Sequence, residues 1–236
     1  MLESFGLSDP GRVRTNNEDY FLIAPNLGLY IVADGMGGEQ AGECASRLAA
    51  EAVADYVAST DRLADNALVS AFEEANRCVS GASSSASQLQ GMGTTLVAAL
   101  TQAEDVLVAS VGDSRVYLFE DGALRMITED QSWVNDVGRR LGLDEAALKV
   151  HPFRHVVTMA IGVSSPLQVR SYRVRPRPGS VLLLCSDGLH GVVDDHRIGT
   201  VLAGHHALED CARGLVEAAR QAGGPDNITV VLLRYQ

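Results

Sequence analysis

Four acidic residues occupy the same kind of place in this chain. Asp34 ends the apolar run Leu29-Tyr30-Ile31-Val32-Ala33, Asp113 follows the run at 106–112, Asp187 follows that at 181–186, and Asp226 precedes Asn227-Ile228-Thr229-Val230-Val231-Leu232. Each has a glycine within two residues or, for Asp226, the Gly223-Gly224-Pro225 turn just before it. One aspartate in a turn caps its own backbone. Four at the mouths of buried strands are another matter, because burying an unpaired carboxylate costs several kcal/mol and neighbouring carboxylates repel, so a cationic counterpart is required. Arg14 and Arg115 are too few. Oxygen donors without partnering His or Cys point to a hard dication, Mg2+ or Mn2+, in preference to zinc. No twelve-residue calcium loop of the EF-hand kind is present, so the ligands must converge from distant strands. Gly35, lacking a Cβ, would let its carbonyl approach an ion closely. Two such ions roughly 3.5–4 Å apart can share a water, lower its pKa far below about 15.7 and direct the hydroxide at phosphorus. Bound metal would also reverse the local field of an acidic protein and attract phosphate.

The elements that must position these acids are legible as hydrophobic periodicity. Residues 20–24 and 28–33 read as a hairpin joined by Pro25-Asn26-Leu27. Ala41, Cys44, Ala45, Leu48, Ala52 and Tyr56 recur at helical steps, as do Leu63, Ala67, Leu68, Ala71, Phe72, Ala75 and Val79, with Thr60-Asp61 supplying a cap between the two helices. Four short strands follow at 94–101, 106–111, 115–120 and 123–127, and their tight connections predict antiparallel neighbours. Residues 131–150 read as helical and charged. The strand pattern resumes at 155–161, 168–174 and 181–185, a helical pair covers about 194–222, and 227–235 closes as a strand. No Pro/Gly-rich linker divides the chain, which predicts one α+β domain over 1–236, an antiparallel sheet with helices packed outside it.

Composition narrows the partners. The chain has 236 residues, 46% of them hydrophobic, and at that size folding hides roughly 70% of the unfolded surface. The serine-rich stretch at 80–87 is the one biased segment, and no internal repeat is visible. A formal net charge of −11 argues against nucleic acid or an anionic membrane as the main partner. Lys149 is the only lysine, which removes a P-loop and a kinase-type ATP lysine. Cys44, Cys78, Cys185 and Cys211 are widely spaced in apolar or helical patterns and read as free thiols. The N-terminus has no basic leader or apolar core, and no 18-residue apolar run follows, so a soluble cytoplasmic protein is expected.

Other constellations are weaker. His151 and His155 have i, i+4 spacing, but Pro152 breaks a helix between them and no third zinc ligand is evident. His205 and His206 read as a solvated loop, and Trp133 as core or flap packing in preference to substrate stacking. "GDSRV" lacks the second glycine of a nucleophile elbow. No cysteine is followed six residues on by an arginine, so the Cys-x5-Arg cradle of cysteine phosphatases is absent.

Six strings then fall in register: "RTNNEDYF" (14–21), "VADGMGGEQAGE" (32–43), "GMGTTLVAAL" (91–100), "SVGDSRVYL" (110–118), "CSDGLHGVVDD" (185–195) and "GGPDNITVVLL" (223–233). Together they resemble the successive motifs of the metal-dependent protein serine/threonine phosphatases (PPM, type 2C), most closely the compact bacterial members that consist of the catalytic domain alone. The resemblance implies an antiparallel β-sandwich flanked by helical layers on both sides (α-β-β-α) with a binuclear metal centre at one end. It implies that Asp34 bridges two Mn2+ or Mg2+ ions, that the Gly35 carbonyl binds one, and that Asp187 and Asp226 bind the other. Asp113, with Asp187, matches the position of a third, weaker metal. Glu18 and Asp19 match the acidic pair that contacts metal-bound waters, and Arg14 the guanidinium that grips the substrate phosphate. The implied activity is direct hydrolysis of phosphoserine and phosphothreonine in proteins by metal-activated water, with no phosphoenzyme, reversing a bacterial Ser/Thr kinase in signalling. The implied partners are phosphoproteins, a cognate kinase and its substrates. The alternative is a catalytically silent phosphatase fold acting as a regulatory or binding module, which loss of a metal carboxylate would favour; none is lost. A calcium-stabilised structural domain would give Arg14 no task. Departures from the family pattern are Met36, where some relatives place a histidine, Gln131 for a usual His, and Met159 for a usual Arg. The last two bear on substrate contacts. Residues at about 135–157 correspond to the family's flap subdomain.

Overall fold

The computed structural model describes residues 2–60, 66–204 and 206–235. In chain order the elements are β1 (Leu2–Asp9), β2 (Asp19–Ala24), β3 (Leu29–Met36), α1 (Glu39–Ser59), α2 (Ala67–Ser85), β4 (Gly93–Thr94), β5 (Leu96–Gln102), β6 (Asp105–Val111), β7 (Arg115–Glu120) and β8 (Ala123–Met126). A π-helical turn at Val134–Gly138 and α3 (Glu145–Val150) follow, then β9 (Arg170–Val174), β10 (Val181–Cys185), α4 (Asp187–His190), α5 (Asp195–Gly204), α6 (Leu208–Gln221) and β11 (Ile228–Tyr235). Two antiparallel sheets form, one ordered β1-β11-β10-β7-β8 and the other β2-β3-β5-β6-β9, with β4 paired to β3.

The strands are apolar on both faces because each sheet is covered twice. In β3, Leu29, Ile31 and Ala33 pack under α1 and α2, while Tyr30 and Val32 point at the opposite sheet. In β10, Val181, Leu183 and Cys185 meet α4–α6, while Leu182 and Leu184 enter the layer between sheets. α6 buries Leu208, Cys211, Ala212, Leu215, Val216 and Ala219, a single 3.6-period stripe. Helices therefore cap the outer face of each sheet, and the expected α-β-β-α layering holds. The cysteines are all free, Cys185 and Cys211 buried.

Several sequence expectations need correction. The turn Gly112-Asp113-Ser114 does not join neighbours: β6 lies in one sheet, paired to β5 and β9, and β7 in the other, paired to β8 and β10. Gly112, at φ 97°, lets the chain change sheets there, a route that tight spacing alone does not reveal. Residues 155–161 form no strand; their backbone pairs only in the isolated bridges Ser132↔Val157 and Thr94↔Ile161, while Met159 and Ile161 pack on the core. The helical stretch at 131–150 reduces to a π-helical turn and α3. β1 was not anticipated; it pairs with β11 along its whole length. The predicted positions Asp61, Leu63 and His205 lie outside the described residues.

Candidate metal centre

Both sheets deliver acids to one end of the sandwich. Asp34 lies near the end of β3, with its carbonyl accepting from Thr95 N (2.9 Å) and from Thr94 Oγ1 (2.8 Å). Asp113 sits in the turn that crosses between sheets, where His190 Nε2 donates to its carbonyl at 3.0 Å. From the other sheet, Asp187 opens α4 directly after β10, and Asp226 stands just before β11. A cleft of about 280 Å3 is lined by these four together with Gly35, Arg14 and Glu18. Seven of the eight predicted site residues thus share one hollow.

Asp19 is the exception. It is buried behind the cleft, with Oδ2 accepting from Ser186 Oγ at 2.7 Å, and its Oδ1 has no hydrogen-bond partner. Glycine at position 35 is also required sterically. A Cβ there would stand 2.1 Å from the Gly42 carbonyl and 2.7 Å from that of Glu18, so the residue permits α1 and the Glu18 backbone to close on β3.

The electrostatics are those of negative charge lacking a counterpart. Burial pushes the Asp34 carboxyl well above the usual range, and Asp19, Asp187, Asp113 and Asp226 push it further. Asp113 rises to about 8 through burial and then Asp187, and Asp19 to about 7 through burial, against the pull of its hydroxyl donors. Asp187 is raised by burial and by Asp226. Arg14 meets Asp226 at 2.7 Å, an ion pair on the exposed rim that raises the guanidinium pKa. Desolvation and the nearby Arg115 push His190 down to about 3, so it serves as a neutral donor to the Asp113 loop.

Among the described residues, no group of three or more His, Cys, Asp or Glu side chains is drawn together as a finished ion cage. Asp226 is turned to Arg14 at the rim, 2.7 Å away. An oxygen-only donor set, mutually raised pKa values and an orphaned buried Asp19 oxygen nonetheless suit a hard dication.

Residues the sequence reading passed over hold this arrangement. Asn227 accepts from Glu18 N at 2.9 Å and donates to the carbonyls of Asn16 (2.8 Å) and Pro10 (3.1 Å), tying the Arg14–Glu18 loop to β11. Ser186 accepts from Thr229 N at 3.0 Å while it donates to Asp19. Their signal was the polar tail of each acidic motif, "SDG" and "DN". Gln131 is buried; its Oε1 accepts from Gly112 N at 2.9 Å and its amide donates to Gln168 O at 2.7 Å, so it braces the Asp113 turn and is no substrate contact. Met159 packs on the core beneath α1 and α2. Trp133 stacks on His151 with ring centroids 4.0 Å apart, and Phe153 meets its edge, which makes it local aromatic packing and leaves His151 apart from the cleft.

Oxygen-only acids facing an arginine at the mouth of a sandwich mark the class of metal-dependent phosphate-ester hydrolases, and known proteins narrow it. The sequence profile described as protein phosphatase 2C matches residues 12–228. The chain is 36% identical over 234 residues to the serine/threonine phosphatase stp of Listeria monocytogenes, covering 96% of this chain and 93% of that protein. It is 37% identical over 231 residues to the serine/threonine protein phosphatase PstP of Mycobacterium tuberculosis, covering 95% of this chain and 43% of that longer protein. The crystal structure of that phosphatase superposes with a TM-score of 0.91 at 33% identity, over 100% of this chain and 99% of the other. The catalytic domain of PstP in complex with two manganese ions gives 0.86 at 33% identity, over 99% and 97%. The chain belongs to the protein phosphatase 2C family.

Proposed function

We infer that this protein is a metal-dependent phosphatase that removes phosphate from phosphoserine and phosphothreonine in proteins, and that its substrates include those of a bacterial Ser/Thr kinase. The observation that carries the inference is the convergence of Asp34, Asp113, Asp187 and Asp226 with Arg14 on one cleft. We assign Asp34 and the Gly35 carbonyl, with Asp187 and Asp226, to two Mn2+ or Mg2+ ions, and Asp113 with Asp187 to a weaker third. When bound, such ions supply positive charge to the phosphoryl oxygens and acidify water.

The protein's own groups do the rest. Arg14, exposed at the rim, exchanges part of its contact with Asp226 for two phosphate oxygens, for which its planar fork is suited. Glu18 lines the cleft and is held by Asn16 and Asn227, a position from which it can accept a proton or orient water. Asp19 presents its unpartnered oxygen from behind. We take the whole chain as one catalytic unit, with residues at about 135–157 forming the flap. The four free thiols suit a reducing compartment, which supports a cytoplasmic site of action; among the described residues no helix is long and apolar enough to cross a membrane.

The test is hydrolysis of phosphothreonine and phosphotyrosine peptides with Mn2+ and with EDTA. Mn2+-dependent release from phosphothreonine, weaker from phosphotyrosine and abolished by EDTA, is expected. Equal rates with and without chelator would reject the metal assignment, and no hydrolysis at all would favour the silent regulatory module.

A further inference from the structure

A second hollow of about 280 Å3 adjoins the catalytic cleft and shares Asp113, His155 and Asp187 with it. Its lining also carries Arg115, Arg139 and Arg154. Acids outnumber Lys and Arg by 30 to 19, so most arginines should be engaged by the chain's own carboxylates. Many are: Arg115 with Asp130, Arg170 with Glu129 and Asp136, Arg213 with Glu209, Arg220 with Asp9. Arg154 departs from this. It is exposed, it faces the hollow, and its guanidinium forms no ion pair with any described residue. Arg139 is oriented from behind: its Nε donates to Asn135 Oδ1 at 3.0 Å, and Asn135 Nδ2 donates to the Asp130 carbonyl at 3.1 Å.

An unpaired guanidinium beside an oriented one, next to the place where a phosphate reacts, calls for a second anion. We propose that this hollow receives a second acidic side chain of the phosphoprotein substrate, phosphorylated or carboxylic, close in sequence to the residue being dephosphorylated and gripped by Arg154 and Arg139. The proposal rests on the phosphatase activity inferred above, in which dications at the shared wall offset Asp113 and Asp187. A phosphate, at about −1.5 to −2, is held more strongly than a carboxylate by the arginine fork. Because the two hollows share a wall, the anions lie within a few residues of each other in an extended peptide, at roughly 3.3–3.6 Å per residue.

The experiment uses the Mn2+-loaded protein and phosphothreonine peptides bearing alanine, lysine, glutamate or a non-hydrolysable phosphonate residue one to three positions to either side. The expected result is a kcat/KM roughly 10-fold higher for the best-placed phosphonate than for alanine, carried by KM, with glutamate between. Arg154→Ala should bring that ratio near one, Arg154→Lys should keep part of it, and Arg154→Glu should invert it in favour of a lysine-flanked peptide. Ratios are taken within one protein, so a loss of folded fraction cancels. A wild-type ratio of one at every position, with the alanine peptide still hydrolysed in a Mn2+-dependent way, overturns the proposal alone, as does a preference that survives Arg154→Glu. Hydrolysis of no peptide overturns the activity and the proposal together.

Discussion

Asp34 shows what a single residue contributes and costs. Its carboxylate is surrounded by Asp19, Asp187, Asp113 and Asp226, so in the metal-free protein it stores repulsion. Asp34→Asn should therefore lower kcat/KM by more than the roughly 10–100-fold typical of residues that only support a metal ligand, yet raise the melting temperature measured in EDTA at pH 8. A lower melting temperature there would contradict the electrostatic account. The same acids set a pH dependence. Asp19 and Asp113 hold protons in the folded state up to about 7 and 8, while an unfolded aspartate loses its proton near 4. Between those values the folded state binds more protons, so metal-free stability falls as pH rises. His190 works the other way, its pKa lowered to about 3, but its contribution is complete by about pH 6.5, the ordinary value for histidine. The window from about pH 6.5 to 8 thus belongs to the acids, and thermal melts in EDTA should decline across it. Arg14→Ala should raise KM by roughly 10–100-fold, the loss of about 1.5–3 kcal/mol in charged hydrogen bonds. At this scale the acids were legible because each interrupts or borders an apolar run. The bracing roles of Asn227, Ser186 and Gln131 were not, because a neutral polar residue has no periodicity and its partners lie far off in the chain: Glu18 and Asn227 are 209 positions apart.

At the scale of elements, the legible parts are those whose periodicity survives burial. The β2–β3 hairpin, α1, most of α2 and the strands from β5 to β11 were readable because their apolar positions repeat at 2.0 or 3.6 residues or run unbroken. What pattern could not supply was sheet membership: β6 and β7 are three residues apart and lie in different sheets. β1 was lost because its burial is partial along its length, Leu2-Glu3-Ser4-Phe5 offering no clean face. Residues 131–161 do not form the expected helix and strand because they are organised by side chains, the Trp133, His151 and Phe153 cluster, and by one buried clamp. In that clamp Arg115 on β7 donates twice to Asp130, at 2.8 and 2.7 Å, and also to the Tyr117 hydroxyl, which donates to Asp195 at 3.1 Å. Asp130→Asn would leave Arg115 mostly buried without a counter-charge, and urea denaturation should show a loss of about 3 kcal/mol. The double change Arg115→Met with Asp130→Leu should cost clearly less than Asp130→Asn alone. Equal losses would mean that the segment is held by something else.

Across the whole molecule, the site is a seam. Asp34 and Asp113 come from the sheet covered by α1 and α2, whereas Asp187 and Asp226 come from the sheet covered by α4–α6. Elsewhere the two sheets are joined by an apolar layer of Tyr30, Val32, Val97, Leu182, Leu184 and Val231, which needs no ion. At the acidic end that layer gives way to like charges, crossed by the hydrogen bonds of Ser186 to Asp19 and of Glu18 to Asn227, and a cation held between the acids would add a further link between the sheets there. Metal binding should then act on the stability of the fold as well as on the reaction. For a site filled at 100 times its Kd, mass action adds about 2.7 kcal/mol. In a chain of this size that corresponds to a rise in Tm of about 5–10 °C. The rise should be larger at pH 8 than at pH 5, because the proposed ligands Asp34, Asp113 and Asp187, whose pKa values are raised, would have to give up their protons to bind. Hydrogen exchange locates the effect: Mn2+ should slow the amides of Gly112, Gly188 and Asn227 at the seam and leave those of β5 and β10 at mid-sandwich unchanged. A melting temperature indifferent to Mn2+ at pH 8, or protection spread evenly over both sheets, would show that the acids are not the place where dications join the two halves.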